Sequence, residues 1–138
     1  MIRRLRRFMA LSFREKLLFV EAFLLHLWVG MLLMVVPFRR IPRLFASRQS
    51  AVGSQQSAIV ENIRDAVQRA GQVSPWRNRC LVSSLAGRCM LRRRQINSQI
   101  HLGIAKNAAG KTIAHAWLEA EGYEVVRKHG DYHEIYIF

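Results

Sequence analysis

Two side chains in this sequence, Cys80 and His115, are of types that perform nucleophilic chemistry together. A thiol in the first turn of a helix has its thiolate stabilised by the helix dipole and by the free backbone N–H groups there. An imidazole within hydrogen-bonding reach can take the proton, leaving a thiolate–imidazolium pair able to attack a carbonyl carbon. The same N–H groups can hold the oxyanion of the tetrahedral intermediate. Each residue also has a plainer use. Cysteine is among the residue types most often buried, and a histidine can be a satisfied member of a core. Cys89 is assigned that packing role.

The chemistry depends on the elements that position the pair. Asn78 to Arg94 carries a helical pattern, with Asn78 a candidate N-cap and Leu81, Leu85 and Cys89 on one stripe. Cys80 falls in its first turn. Upstream, Ile59, Ile63, Val67 and Ala70 recur at helical spacing, the pattern ending before Gly71, and Ser74-Pro75 marks a turn. After Gln95 the period becomes two. Ile100, Leu102 and Ile104 alternate, and Asn107 to Gly110 makes a turn. Ile113 to Ala120 is a strand, Glu121-Gly122 a tight turn, Tyr123 to Val126 the return strand, and Glu134 to Phe138 alternates again. Along the second strand Ile113, His115, Trp117 and Glu119 share one face, and Ala114, Ala116, Leu118 and Ala120 the other. A Cys80 helix packed on the first face would be faced by both His115 and Trp117. Helices followed by antiparallel strands predict an α+β domain.

The 138 residues are 51% hydrophobic and 22% charged, a balance that excludes wholesale disorder and a multi-span membrane protein. Lys and Arg number 22 against 9 acidic residues, a net charge of +13 that points to an anionic partner. Eight of those net charges lie within residues 1–50, on Arg3, Arg4, Arg6 and Arg7 and again on Arg39, Arg40 and Arg43 among others. Between the basic blocks runs an apolar segment, residues 17–38, whose only ionisable groups are Glu21 and His26. It is long enough to cross a hydrocarbon core of about 30 Å as a helix. Three arrangements are open: a span, a helix in the interface with its basic flanks on anionic headgroups, or a helix packed on the domain or a partner. Lipid accounts for the flanking charge better than nucleic acid does. Residues 46–56 form a small, polar linker. The expected organisation is an N-terminal helical segment, 1–50, followed by a domain at 51–138. Two cysteines without CxxC spacing support neither a disulfide framework nor a zinc site, so no cofactor or metal is expected.

The stretch WRNRCLVSSLAGRCMLRRRQINSQIHLGIAKNAAGKTIAHAWLEAEGYEVV resembles the transglutaminase-like leader peptidases of lasso-peptide biosynthesis, the B2 proteins. The shared pattern is a Cys-Leu pair opening an Ala/Leu-rich helix that ends in a basic run, then HLGIAK, then HAWLE running into a Gly turn. The upstream RDAVQRAG and SPW segments and the apolar block REKLLFVEAFLLHLWVGMLLMVVPFRR fit the same family, so the likeness reaches back to about Arg14. The resemblance implies a papain-like α+β fold, with helices on a small antiparallel sheet behind an N-terminal apolar helix. It implies a cysteine peptidase that uses a Cys-His-acid triad to cut the leader from a ribosomally made lasso precursor. Cys80 would be the nucleophile and His115 the base and then the acid. A separate leader-recognition (B1-type) protein would deliver the precursor, and an ATP-dependent cyclase would close the ring. The setting would be the bacterial cytoplasm, with association to the inner membrane. The rival function is a non-catalytic, membrane-associated adaptor that keeps the same shell.

The third member of the triad departs from the family pattern. Strand pairing about Glu121-Gly122 puts Arg127 or Lys128 where an acid is expected, and neither can orient an imidazolium. Asp131 is the first choice, provided Lys128-His129-Gly130 forms a bulge. Glu119 on the His115 face and Glu124 on the return strand are the alternatives, and a dyad without an acid is the fourth. His129 and His133 are assigned to an exposed loop rather than a metal pair. Arg92-Arg93-Arg94 reads as a solvated helix end or a receiver for an acidic peptide. Trp76 and Trp117 read as core or cleft lining.

Overall fold

The change of period at Gln95 divides the chain into a helical half and a sheet. The computed structural model describes residues 1–46, 57–76, 79–128 and 130–138. Helix α1 is Ile2–Met9 and α2 is Phe13–Val35; a single tight turn at Phe38–Arg40 leads into the short α3, Ile41–Leu44. Helices α4, Ser57–Val73, and α5, Arg79–Arg93, precede the strands β1, Gln99–Lys106, β2, Thr112–Ala120, β3, Tyr123–Val126, and β4, His133–Ile137. All strand pairs are antiparallel, in the order β3-β2-β1-β4.

The fold class is therefore the expected α+β arrangement, and the element bounds fall within a few residues of the sequence pattern. Helix α4 continues through Gly71 to Val73. Helix α2 opens four residues before the expected apolar stretch, because Ser12 and Glu15 form a capping box. The Ser12 N–H donates to the Glu15 carboxylate at 2.8 Å and the Glu15 N–H to Ser12 Oγ at 3.3 Å. The Asn78 cap and all of the 46–56 linker except Ala46 lie outside the described residues.

Helix α5 is not the one-striped helix that Leu81, Leu85 and Cys89 suggested. Every residue from Val82 to Arg88 is buried, while Leu81 and Cys89 are half-buried. It is the central helix, touched by α2 and α4 and by the sheet. Small side chains permit this: a Cβ on Gly87 would stand 2.7 Å from Leu118 and 3.7 Å from both Val125 and Val67. One core joins Ala22 and Val29 of α2, Ile63 and Val67 of α4, Leu85 and Met90 of α5, and Ile100 and Leu118 of the sheet. Each fully buried Leu or Ile among them contributes about 1.5–3 kcal/mol.

The contact with Leu118 fixes which face of the sheet the helices cover. Ala116, Leu118 and Ala120 point into the core, so His115 and Trp117 stand on the opposite, outer face. The expectation that α5 would face His115 is corrected here: Ala116, Leu118 and Ala120 make the small, apolar surface a helix can pack on, and the face with His115 and Glu119 does not. The outer face is covered by the chain itself. Between β3 at one edge and β4 at the other, Lys128 and Tyr132 lie over this face, and Trp117 beneath them is only 3% exposed.

Candidate functional site

Cys80 is half-buried in the first turn of α5, and its carbonyl accepts a hydrogen bond from Ser84 Oγ at 2.7 Å. Helix α5 runs antiparallel to β1. Its C-terminal half is fixed at the start of β1, where Arg88 bonds Ser98, and Phe138 pairs with Ile100. From Arg88 back to Cys80 the helix advances about 12 Å at 1.5 Å per residue. From Ile100 to Gly103, the partner of His115, β1 advances about 10 Å at 3.3 Å per residue. The thiol belongs to the helix on the inner side of β2, and the imidazole stands on the outer side. The ladder between β2 and β3 covers only Leu118–Ala120 on the β2 side. Beside His115 that edge of β2 lies beyond the strand pairing and carries the Arg127 carbonyl instead.

The imidazole is held from several directions. His115 Nε2–H donates to the main-chain carbonyl of Arg127 at 2.9 Å. A carbonyl can only accept, so Nε2 carries a proton and donates it. Its ring stacks on Tyr132 at 4.9 Å and on Trp117 at 6.3 Å between centroids. Lys128 Nζ sits 5.0 Å over the Trp117 ring. The segment between β3 and β4 therefore supplies a main-chain acceptor and an aromatic wall.

The three candidate acids are dispersed. Glu119 lies 3.4 Å from Nε2 of His101, whose Nδ1 is bonded by Glu134 and whose ring is parallel to Trp117. Glu124 is exposed, opposite Glu119 across the hairpin. Asp131 is exposed in the segment between β3 and β4. The ladder irregularities lie at Leu118/Glu119 and Leu102/Gly103, while His129, in the expected bulge, lies outside the described residues. His133 is exposed at the start of β4. Among the described residues no group of three or more His, Cys, Asp or Glu side chains is placed to hold a metal.

Three supporting features escaped the sequence. Trp76, four residues before Cys80, lies flat against Gly30 of α2, where an added Cβ would come within 2.0 Å of its ring. Arg88 is buried, donating to the Phe45 and Ser98 carbonyls at 2.8 Å each and also reaching the Phe138 main-chain oxygen. Burial pushes its guanidinium down to about 10, so it remains charged at neutral pH. The basic end of α5 is not simply solvated: Arg93 and Arg94 each bond the Glu21 carboxylate of α2 at 2.8 Å. Helical spacing marks a position's phase but not its partner 72 residues away. Cys89 keeps its packing role, and burial pushes its thiol up.

The transglutaminase-like superfamily matches residues 23–136, and the chain belongs to that family. The superfamily includes cysteine peptidases and transglutaminases. No curated protein and no solved structure matches the chain.

Proposed function

We propose that the protein is a cysteine peptidase that cuts the leader from a lasso-peptide precursor, with Cys80 as nucleophile and His115 as general base. The observations that support it are the place of Cys80 in the first turn of α5 and the bond from His115 Nε2–H to the Arg127 carbonyl, which orients the imidazole. In this mechanism Nδ1 takes the Cys80 proton and the sulfur attacks the leader–core carbonyl. The imidazolium then protonates the departing amine, and water hydrolyses the resulting thioester. We assign the orienting role to the Arg127 carbonyl, with Asp131 the alternative that the test below decides. The proposed setting is the bacterial cytoplasm at the inner membrane, with a separate leader-recognition protein and an ATP-dependent cyclase as partners.

A non-catalytic adaptor is the second proposal, favoured by the placement of α5 and His115 on opposite sides of β2. Mass-spectrometric cleavage of a candidate precursor, with the recognition protein present, separates the two. Cys80→Ala and His115→Ala should each remove cleavage by a factor of at least about a thousand, and Asp131→Asn should change it only a few-fold. Wild-type cleavage by Cys80→Ala ends the peptidase proposal. A thousandfold loss in Asp131→Asn restores the carboxylate to the triad.

A further inference from the structure

Helix α2 is apolar nearly all round, yet its two long sides are used differently. Ala22, His26, Val29 and Gly30 are buried against the domain. Leu17, Val20, Leu24, Trp28, Met31 and Val35 are exposed, Leu24 at 58% and Trp28 at 53%. At about 100° per residue the first set centres opposite the second, so the exposed residues form one stripe running the length of a helix of about 33 Å. Only 22% of its most apolar window is buried.

The inner side rules out a transmembrane path. Glu21 is clasped by Arg93 and Arg94, His26 is bonded to Ser83, and Gly30 lies under Trp76. An α2 spanning a bilayer would carry α4 and α5, with Glu61, Arg64, Asp65 and Arg69, into the hydrocarbon. The ends of the exposed stripe are basic. Helix α1 holds Arg3, Arg4, Arg6 and Arg7 with no buried residue, and Arg39, Arg40 and Arg43 are exposed beyond the other end.

We propose that the outer stripe of α2 lies in the plane of an anionic lipid surface, anchoring the protein on one leaflet with the basic ends on headgroups. The stripe enters the acyl boundary by about 5–10 Å, the usual depth of an interfacial helix, while the inner stripe stays on the domain. Complementary charge selects the occupant: an apolar stripe with arginines at both ends matches acyl chains bordered by phosphates. This refines the membrane location named above and is independent of the chemistry at Cys80, so Cys80→Ala should bind lipid as the unaltered chain does.

The test is flotation of the full chain with vesicles of phosphatidylcholine, with and without phosphatidylglycerol. Binding should be at least about tenfold stronger with the anionic lipid, and joint replacement of Arg3, Arg4, Arg6 and Arg7 by Gln should lower it at least about a hundredfold. Leu24→Glu with Trp28→Glu should abolish flotation with the circular dichroism spectrum unchanged. Should that variant not fold, brominated lipid supplies a second readout: it should quench the tryptophan fluorescence of the unaltered protein, and Trp28→Phe should remove most of that quenching while retaining binding. Equal binding to neutral vesicles, or quenching unaffected by Trp28→Phe, overturns the proposal. So does a dimer broken by the Glu pair without vesicle binding, which would make a second copy the occupant. Retention in membranes after an alkaline carbonate wash would mean a span and overturn it equally.

Discussion

At the scale of single residues, the buried polar groups carry the sharpest consequences. His26 is fully buried: Nδ1–H donates to the Ala22 carbonyl at 2.6 Å and Nε2 accepts from Ser83 Oγ–H at 2.9 Å. Both nitrogens are satisfied in the neutral ring, and burial holds its pKa below the ordinary histidine value, outweighing the Ala22 bond. The unfolded chain therefore binds this proton more readily than the folded one, and the stabilising contribution is complete above about pH 6.5. Stability should fall as the pH drops through 6.5 and below, and His26→Gln should flatten that slope in urea-unfolding midpoints measured across pH 5–8. Arg88 is the second such group. Arg88→Ala would leave the Phe45 and Ser98 carbonyls without their donor and should cost about 3 kcal/mol or more in urea unfolding, whereas Arg92→Ala, on the exposed side, should cost under about 0.5 kcal/mol. Neither burial was legible locally, because an Arg one residue before Cys89 and a His in an apolar run have the same sequence signature whether they face carbonyls or water.

At the scale of elements, the contact between Gly30 and Trp76 links α2 to the segment that enters α5. The ring occupies the space a side chain at position 30 would need, so Gly30→Ala must displace it. That change should lower precursor cleavage more than tenfold with Cys80 and His115 both intact. It should also slow iodoacetamide labelling of Cys80 as the first turn loses its support. Unaltered labelling and cleavage would show that the contact serves stability alone. The strands were legible because strict alternation and the Glu121-Gly122 turn, with φ of +53° and +79°, leave few alternatives. The face against which α5 packs was not. Alternation sorts β2 into two faces without saying which meets a helix, and the close approach of Gly87 to Leu118 decides it.

At the scale of the whole molecule, one core joins residues from both sides of the boundary that composition draws at residue 50. Ala22, Val29, Ile41 and Phe45 belong to the same cluster as Ile63, Leu85 and Leu118, and the family match begins within α2. Removal of residues 1–50 should therefore yield a chain without a cooperative thermal transition, while removal of 1–11, which carries no buried residue of α1, should keep that transition and weaken vesicle binding. A cooperative transition in residues 51–138 would contradict the single core. What the sequence determined by itself was local: the periods of helix and strand, the two-residue turn, the reactive residue types, and the basic ends of an apolar segment, all set by interactions within a few residues of the chain. The tertiary structure alone decided which side of α2 is covered, which face of β2 meets α5, and that the Arg127 main-chain carbonyl bonds His115. Those outcomes depend on partners tens of residues distant, chosen by how whole surfaces fit.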